Sequence, residues 1–309
     1  MNRYLPEGML YATKENRMLT GSLEGLSAAM SSGAIVEGRV SMCDGDHNLH
    51  VELPCRGVKG IIPREEGALG ISDGTTKDIA LITKVSKPVC FKVERLLEDN
   101  GSGEVTALLS RRRAQQECME EFISKRSCGD IIPARVTHLE QFGCFVDVGC
   151  GIPSLIPIDA ISVSRISHPS DRFYIGQNIY VIIKSLENNR IWLTHKELLG
   201  TWEENAALFN NGETVSGIVR SVEDYGIFIE LTPNLAGLAE PRDYVCAGQT
   251  VSVYIKAIIP SKMKIKLIIV DVFETIQKQN ELKYFFEGGH ISGWVYSSPD
   301  CDRLIQSQF

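Results

Sequence analysis

No run in the chain approaches the ~18–20 consecutive apolar residues that a membrane-spanning helix needs. The opening stretch, MNRYLPEGMLYATKEN, has no apolar core followed by a small-residue cleavage site. A membrane partner and a secretory signal are therefore not expected, and the cytoplasm is the natural compartment. The nine cysteines include no CxxC pair, and the six histidines complete no zinc-ligand spacing. Cys144 in FGCFV and Cys90 in VCFKV sit in apolar strand contexts and read as small buried hydrophobes in a reducing environment. No GxxxxGK[ST] or GxGxxG loop, no HExxH and no GxSxG is present, and the carboxylates form no metal-binding pattern. Neither catalytic residue, cofactor nor metal is expected. An excess of positive charge is also missing: 32 Lys and Arg stand against 39 Asp and Glu, a net charge of −7. Any polyanion must then be met by a local basic face on an otherwise acidic protein.

What is present is an ordinary globular composition, 43% hydrophobic and 23% charged, organised by a repeat. The segment GDIIPARVTHLEQFGCFVDVGCGIPSLIP from Gly129 aligns with GETVSGIVRSVEDYGIFIELTPNLAGLAEP from Gly212. Val136 matches Val219, Phe142 matches Tyr225, Gly143 matches Gly226, Phe145 matches Phe228 and Asp147 matches Glu230, at an offset of roughly 83 residues. A diverged third copy, GAIVEGRVSMCDGDHNLHVELPCRGVKGIIP, starts at Gly33 and carries His47 and His50 at the aromatic positions. Each copy continues into two more strands: PVCFKVERLLEDNGSGEVTALLSRRRA, GQNIYVIIKSLENNRIWLTHKE and GQTVSVYIKAIIPSKMKIKLII.

Alternation in 132–136 and 180–184, with Gly, Asn and Asp breaks between, gives short half-buried strands. Five of them in ~70–80 residues close most easily into a small barrel, which removes exposed edges. Residues 114–126, 197–209 and 271–286 change to helical spacing. Met119 and Phe122 share a face of the first, and Leu199, Trp202 and Leu208 suit the cover of a barrel end in the second. Arg111, Arg112 and Arg113 read as a helix start. The expected fold is mainly β: tandem five-stranded barrels joined by short α-helices. The partition is an N-terminal segment at 1–32, barrels at 33–113, 128–198 and 211–270, linker helices at 114–127 and 199–210, and a C-terminal helix and tail at 271–309. Trp294 and Tyr296 in the tail read as packing against the last barrel.

The succession G-x-x-V-x-G/A-x-V, F/Y-G-x-F-V-D/E, G-Q-x-V/I and R/K-I-x-L-S/T resembles the S-one RNA-binding domain, the OB-fold module repeated in bacterial ribosomal protein S-one. The middle and last copies match over nearly their full length, and the first is supported by register and by its LSRRRA ending. The resemblance implies non-catalytic binding of single-stranded RNA, tied to translation or the small ribosomal subunit. In the family both aromatic positions and a basic residue opening the final strand face RNA. Here these are Phe142, Phe145 and Arg190 in the middle copy, and Tyr225, Phe228 and Lys264 in the last.

Arg135 and Arg220, in the first strands beside the core valines, are candidates for phosphates. So are Lys184 and Lys256, with Lys196 and Lys266 as further additions. Trp192, two residues past Arg190, shares its strand face. Two departures stand out. The family's histidine after the third strand is replaced by Pro157 and Glu240. The first copy lacks both aromatics, with Glu104 where the basic residue is expected. That copy is therefore expected to dock on protein, on the small ribosomal subunit in particular. An adapter with little RNA affinity is the rival reading of the whole chain. The sequence does not settle the oligomeric state.

Overall fold

The structure is a computed structural model that describes residues 3–98, 103–187, 190–273, 282–286 and 288–309. Three five-stranded barrels follow one another. The first holds β1 (Val36–Cys43), β2 (Leu49–Glu52), β3 (Val58–Ile62), β4 (Pro88–Glu98) and β5 (Val105–Ser110). The second holds β6 (Asp130–Glu140), β7 (Gly143–Asp147), β8 (Pro153–Pro157), β9 (Asn178–Glu187) and β10 (Arg190–Thr194). The third holds β11 (Thr214–Glu223), β12 (Gly226–Thr232), β13 (Leu235–Ala239), β14 (Thr250–Ile259) and β15 (Lys264–Phe273). In each the order around the barrel is first, second, third, fifth, fourth, with the fourth pairing back on the first. The third and fifth strands run parallel, while the other neighbours in the first and third barrels, and β9 with β10 in the second, are antiparallel. The residues Gly289–His290 add a short strand beside β6.

The chain divides into two compact units. The first comprises residues 1–126 with 133–135 and 147–153. Its barrel core includes Val36, Val40, Leu49, Val51, Ile62, Phe91 and Leu109, and Leu26 and Ala29 of the helix Leu23–Ser32 belong to the same cluster. That helix is capped by Ser22, whose hydroxyl accepts from Gly25 N–H, and ended by Gly33 at φ 65°, a left-handed stop suited to glycine. The N-terminal segment is thus partly barrel core, which periodicity within the repeats did not reveal. Arg111 opens a helix, Arg111–Cys118, capped by Ser110. Its guanidinium is buried and pairs at 2.6 Å with Glu7, which Lys84 also meets at 2.7 Å. Burial alone would raise the Glu7 carboxyl, but Arg111 and Lys84 bring it down to about 2. A π-helical turn, Met119–Ile123, follows and buries Phe122.

The second unit contains the remainder of the chain from residue 127. Its core joins Ile182, Leu198 and Trp202 to Val219, Ile229, Leu235, Val253, Trp294 and Tyr296. The expected helix over 197–209 is shorter than its pattern. A 3-10 turn at Lys196–Leu199 is broken at Gly200 (φ 81°), and a helix runs only over Trp202–Ala206, opened by a Thr201–Glu204 capping box. Leu199 and Trp202 are buried as expected, but Leu208, past the helix end, is exposed. Of the helix expected over 271–286, residues 271–273 continue β15, because Ile269 to Phe273 keep pairing with β14. Residues 274–281 lie outside the described residues, and 282–286 are not helical. In the tail, Tyr296 donates to the Asn234 carbonyl at 2.5 Å, and the Tyr296 carbonyl accepts from Trp202 N–H.

Candidate nucleic-acid interface

The β6–β7 turn carries Phe142, and β7 presents Phe145 as its one half-buried residue between buried neighbours. The ring centroids lie 6.0 Å apart at 89°, an edge-on pair. In the third barrel Tyr225 and Phe228 repeat this at 6.0 Å and 85°. Phe142 and Tyr225 are 57% and 69% exposed, far above core values. Gly143 and Gly226 are needed for close approach. A Cβ at Gly143 would stand 2.5 Å from the Ile156 carbonyl oxygen, and one at Gly226 would stand 2.7 Å from that of Ala239. The third strand thereby runs close under the turn, and Ile158 N–H donates to the Phe142 carbonyl at 3.0 Å. Pro157 and Glu240, which replace the expected histidine, sit at this same strand end.

Strand register aligns the outer faces. In the third barrel Phe228, Leu238 and Lys266 are successive partners across β12, β13 and β15. In the first barrel the row is His50, Ile61 and Leu108. His50 is held at 3.0 Å by Asp44, and His47 (φ 64°) lies 4.0 Å from Asp78. The register also moves one assignment. Thr106, two residues before Leu108, stands where Lys264 precedes Lys266, so Glu104 is not the counterpart of the basic residue; it pairs with Lys59.

Bulges decide where the remaining cations point. In the third barrel Val219 and Ser221 pair with consecutive residues of β12, leaving Arg220 as the extra residue. Its side chain is 12% exposed and bound by Glu230 at 2.8 and 3.1 Å and by Asp171 at 3.2 Å. Burial would lower its pKa, but these carboxylates raise it. Glu230 also pairs with the buried Arg172. Arg220 is therefore an internal ion-pair residue and not an outward phosphate contact. Ser41 takes the same bulge position in the first barrel, and Thr137 matches it in the second; their hydroxyls donate to the carbonyls of His50 and Phe145. On the fourth strands a second bulge turns Lys184 and Lys256 into the extra residues, opposite the step from Trp192 to Leu193 and from Lys266 to Leu267. Both lysines are exposed; Glu94, which takes this place in the first barrel, pairs with Arg113.

Arg190 and Lys264 are exposed at the start of their strands, opposite Glu187 and Ile259 respectively. Arg135 is half-buried, its guanidinium against Gly8. Lys196 reaches the Asp159 carbonyl. His138 was not singled out from the sequence, yet its ring lies 6.4 Å from Phe145. Strict alternation would place it on the inward face with Val136, two residues earlier, so the linear pattern does not mark it; the structure leaves it exposed, next to the bulge position of Thr137. Among the described residues, no group of three or more His, Cys, Asp or Glu could hold a metal ion, and no helix is long and apolar enough to cross a membrane.

A family profile for the S1 RNA binding domain matches residues 127–196, the middle barrel with both its aromatics and Arg190. Over this span the chain carries an S1 RNA binding domain. It is similar to small ribosomal subunit protein bS1 of Staphylococcus aureus (strain COL), 28% identical over 231 residues, covering 69% of this chain and 56% of that protein. It is also similar to bS1 of Leuconostoc lactis, 31% identical over 191 residues, 56% of this chain and 44% of the other. The chain thus spans about half the length of these relatives. A multidomain protein with nucleic acid binding domains from Streptococcus pneumoniae matches at 14% identity over 77% of this chain and 73% of that one. Its TM-score of 0.26 is too low to add weight.

Proposed function

We propose that this protein binds single-stranded RNA without catalysis, through bases stacked on Phe142 and Phe145 in the middle barrel and on Tyr225 and Phe228 in the last. The observation that carries the reading is the repetition of one edge-on aromatic pair, 6.0 Å apart in both copies, on a turn held open to solvent. Stacking on such platforms contributes roughly 1–3 kcal/mol per base and tolerates any sequence. Arg190 and Lys184, and Lys264, Lys266 and Lys256, supply phosphate contacts on neighbouring strands; Arg220 is left out of the set, and Arg135 plays a minor part. Similarity to bS1 supports a role at the small ribosomal subunit in the cytoplasm.

Anisotropy of a labelled single-stranded RNA oligomer tests this. The double substitution Phe142→Ala with Phe145→Ala is expected to weaken binding at least about tenfold, and Tyr225→Ala with Phe228→Ala to weaken it less. Unchanged affinity in the first double variant, or no binding at low salt, would defeat the reading.

A second role is favoured for the first barrel by the loss of its platform. His50 is tied to Asp44, Leu108 replaces a polar or aromatic group, and acidic Glu94 replaces the bulge lysine. This barrel docks on protein of the small ribosomal subunit. Co-sedimentation with small subunits that survives the Phe142 and Phe145 substitutions, but not deletion of the first barrel, is the expected result.

A further inference from the structure

One exposed tryptophan lies outside the set above. Trp192 on β10 is 37% exposed, while Trp202 and Trp294 are 2% and 4% exposed. Its neighbours fix it in place: Leu155 is its partner on β8 and Ser185 its partner on β9. Leu155 and Phe145 stand 83 residues before Leu238 and Phe228, and the strand order is the same in both barrels. Trp192 therefore belongs to the row of Phe145, at the place Lys266 takes in the third barrel and Leu108 in the first. Two strand spacings put it roughly 10 Å from Phe145 across the sheet. Arg190 shares its outer face, and the bulge residue Lys184 stands opposite its edge.

We infer that Trp192 is a third base-stacking platform of the middle barrel, taking the nucleotide next to those on Phe142 and Phe145, with Arg190 and Lys184 at its phosphate. The inference rests on the RNA reading and deepens it. The indole offers the largest π-face among the side chains, and pairing on both sides of β10 holds it ready before RNA arrives. It also supplies aromatic surface to a barrel whose usual histidine is Pro157. The last barrel, with Lys266 at the same place, meets the strand there by charge instead of stacking. The two barrels thus differ in the kind of contact made at one equivalent position.

The burial of Trp202 and Trp294 makes Trp192 the tryptophan whose emission RNA can reach. Full-length protein is titrated with a labelled single-stranded RNA oligomer, reading label anisotropy and tryptophan emission together. The expected result is quenching that follows the anisotropy curve. Trp192→Phe keeps affinity within about threefold and loses the quenching, and Trp192→Ala weakens binding roughly tenfold. Residual emission from Trp202 and Trp294 reports that each variant is folded. Binding that depends on Phe142, with unquenched emission and full affinity in Trp192→Ala, would overturn the inference and leave the RNA reading intact. Absence of RNA binding would overturn both.

Discussion

Arg220 and Lys184 look alike in sequence, each a cation on a barrel strand, and the structure separates them by their partners. Both are the extra residue of their strand. Arg220 meets Glu230 and Asp171, whereas Lys184 stays exposed. Glu230 is the carboxylate shared by two arginines whose side chains are 3% and 12% exposed. Glu230→Ala leaves those charges without it, and a loss of about 3–5 kcal/mol is expected in denaturant unfolding. Arg220→Ala, by contrast, is expected to lower the unfolding midpoint while leaving RNA affinity within twofold or so, about 0.4 kcal/mol. A matching drop in affinity would return Arg220 to the binding face. No feature of the linear pattern around GIVRSVE distinguishes the two outcomes, since Glu230 comes from the next strand and Asp171 from a loop some fifty residues earlier.

Elements were legible where their period was short and repeated. The fifteen barrel strands follow from alternation and from three aligned copies. Helices were less legible, because Gly200 and Phe273 sit in helical-looking composition but are decided by a left-handed turn and by pairing with β14. The 3-10 turn after β10 also fixes a titration that composition does not show. His195 is fully buried there, with Nδ1 at 2.8 Å from the Ile161 carbonyl and Nε2 at 3.2 Å from the Tyr284 hydroxyl. Burial pushes its pKa down to about 4 from 6.5. Between these values the unfolded chain takes up a proton that the folded one refuses, so stability falls as pH drops from about 6.5 to about 4 and is fully present above. His195→Asn, which keeps a donor for Ile161, is expected to flatten that part of the stability–pH curve. Thermal melts across pH 4 to 7 would show it, and an unchanged slope would count against His195 as the source.

For the whole molecule the governing quantity is charge. At a net −7, binding draws on few phosphate contacts, and the exposed cations on the two platforms are Lys184, Arg190, Lys256, Lys264 and Lys266. With about 0.7 counterions released per contact on a single strand, the slope of log K against log salt is expected not to exceed about 3.5 in magnitude. A slope beyond about 5 would mean that electrostatics, not stacking, dominates. The sequence by itself determined the number of barrels, their strand content and the aromatic pairs, since all of these are written in local alternation and in a repeat with one offset. Only the tertiary structure decided which cations remain exposed, that Leu26 and Ala29 complete the first core, and that Trp192 stands in the row of Phe145. Those depend on register and bulges between strands distant in the chain, where a shift of one residue turns a side chain from solvent to core.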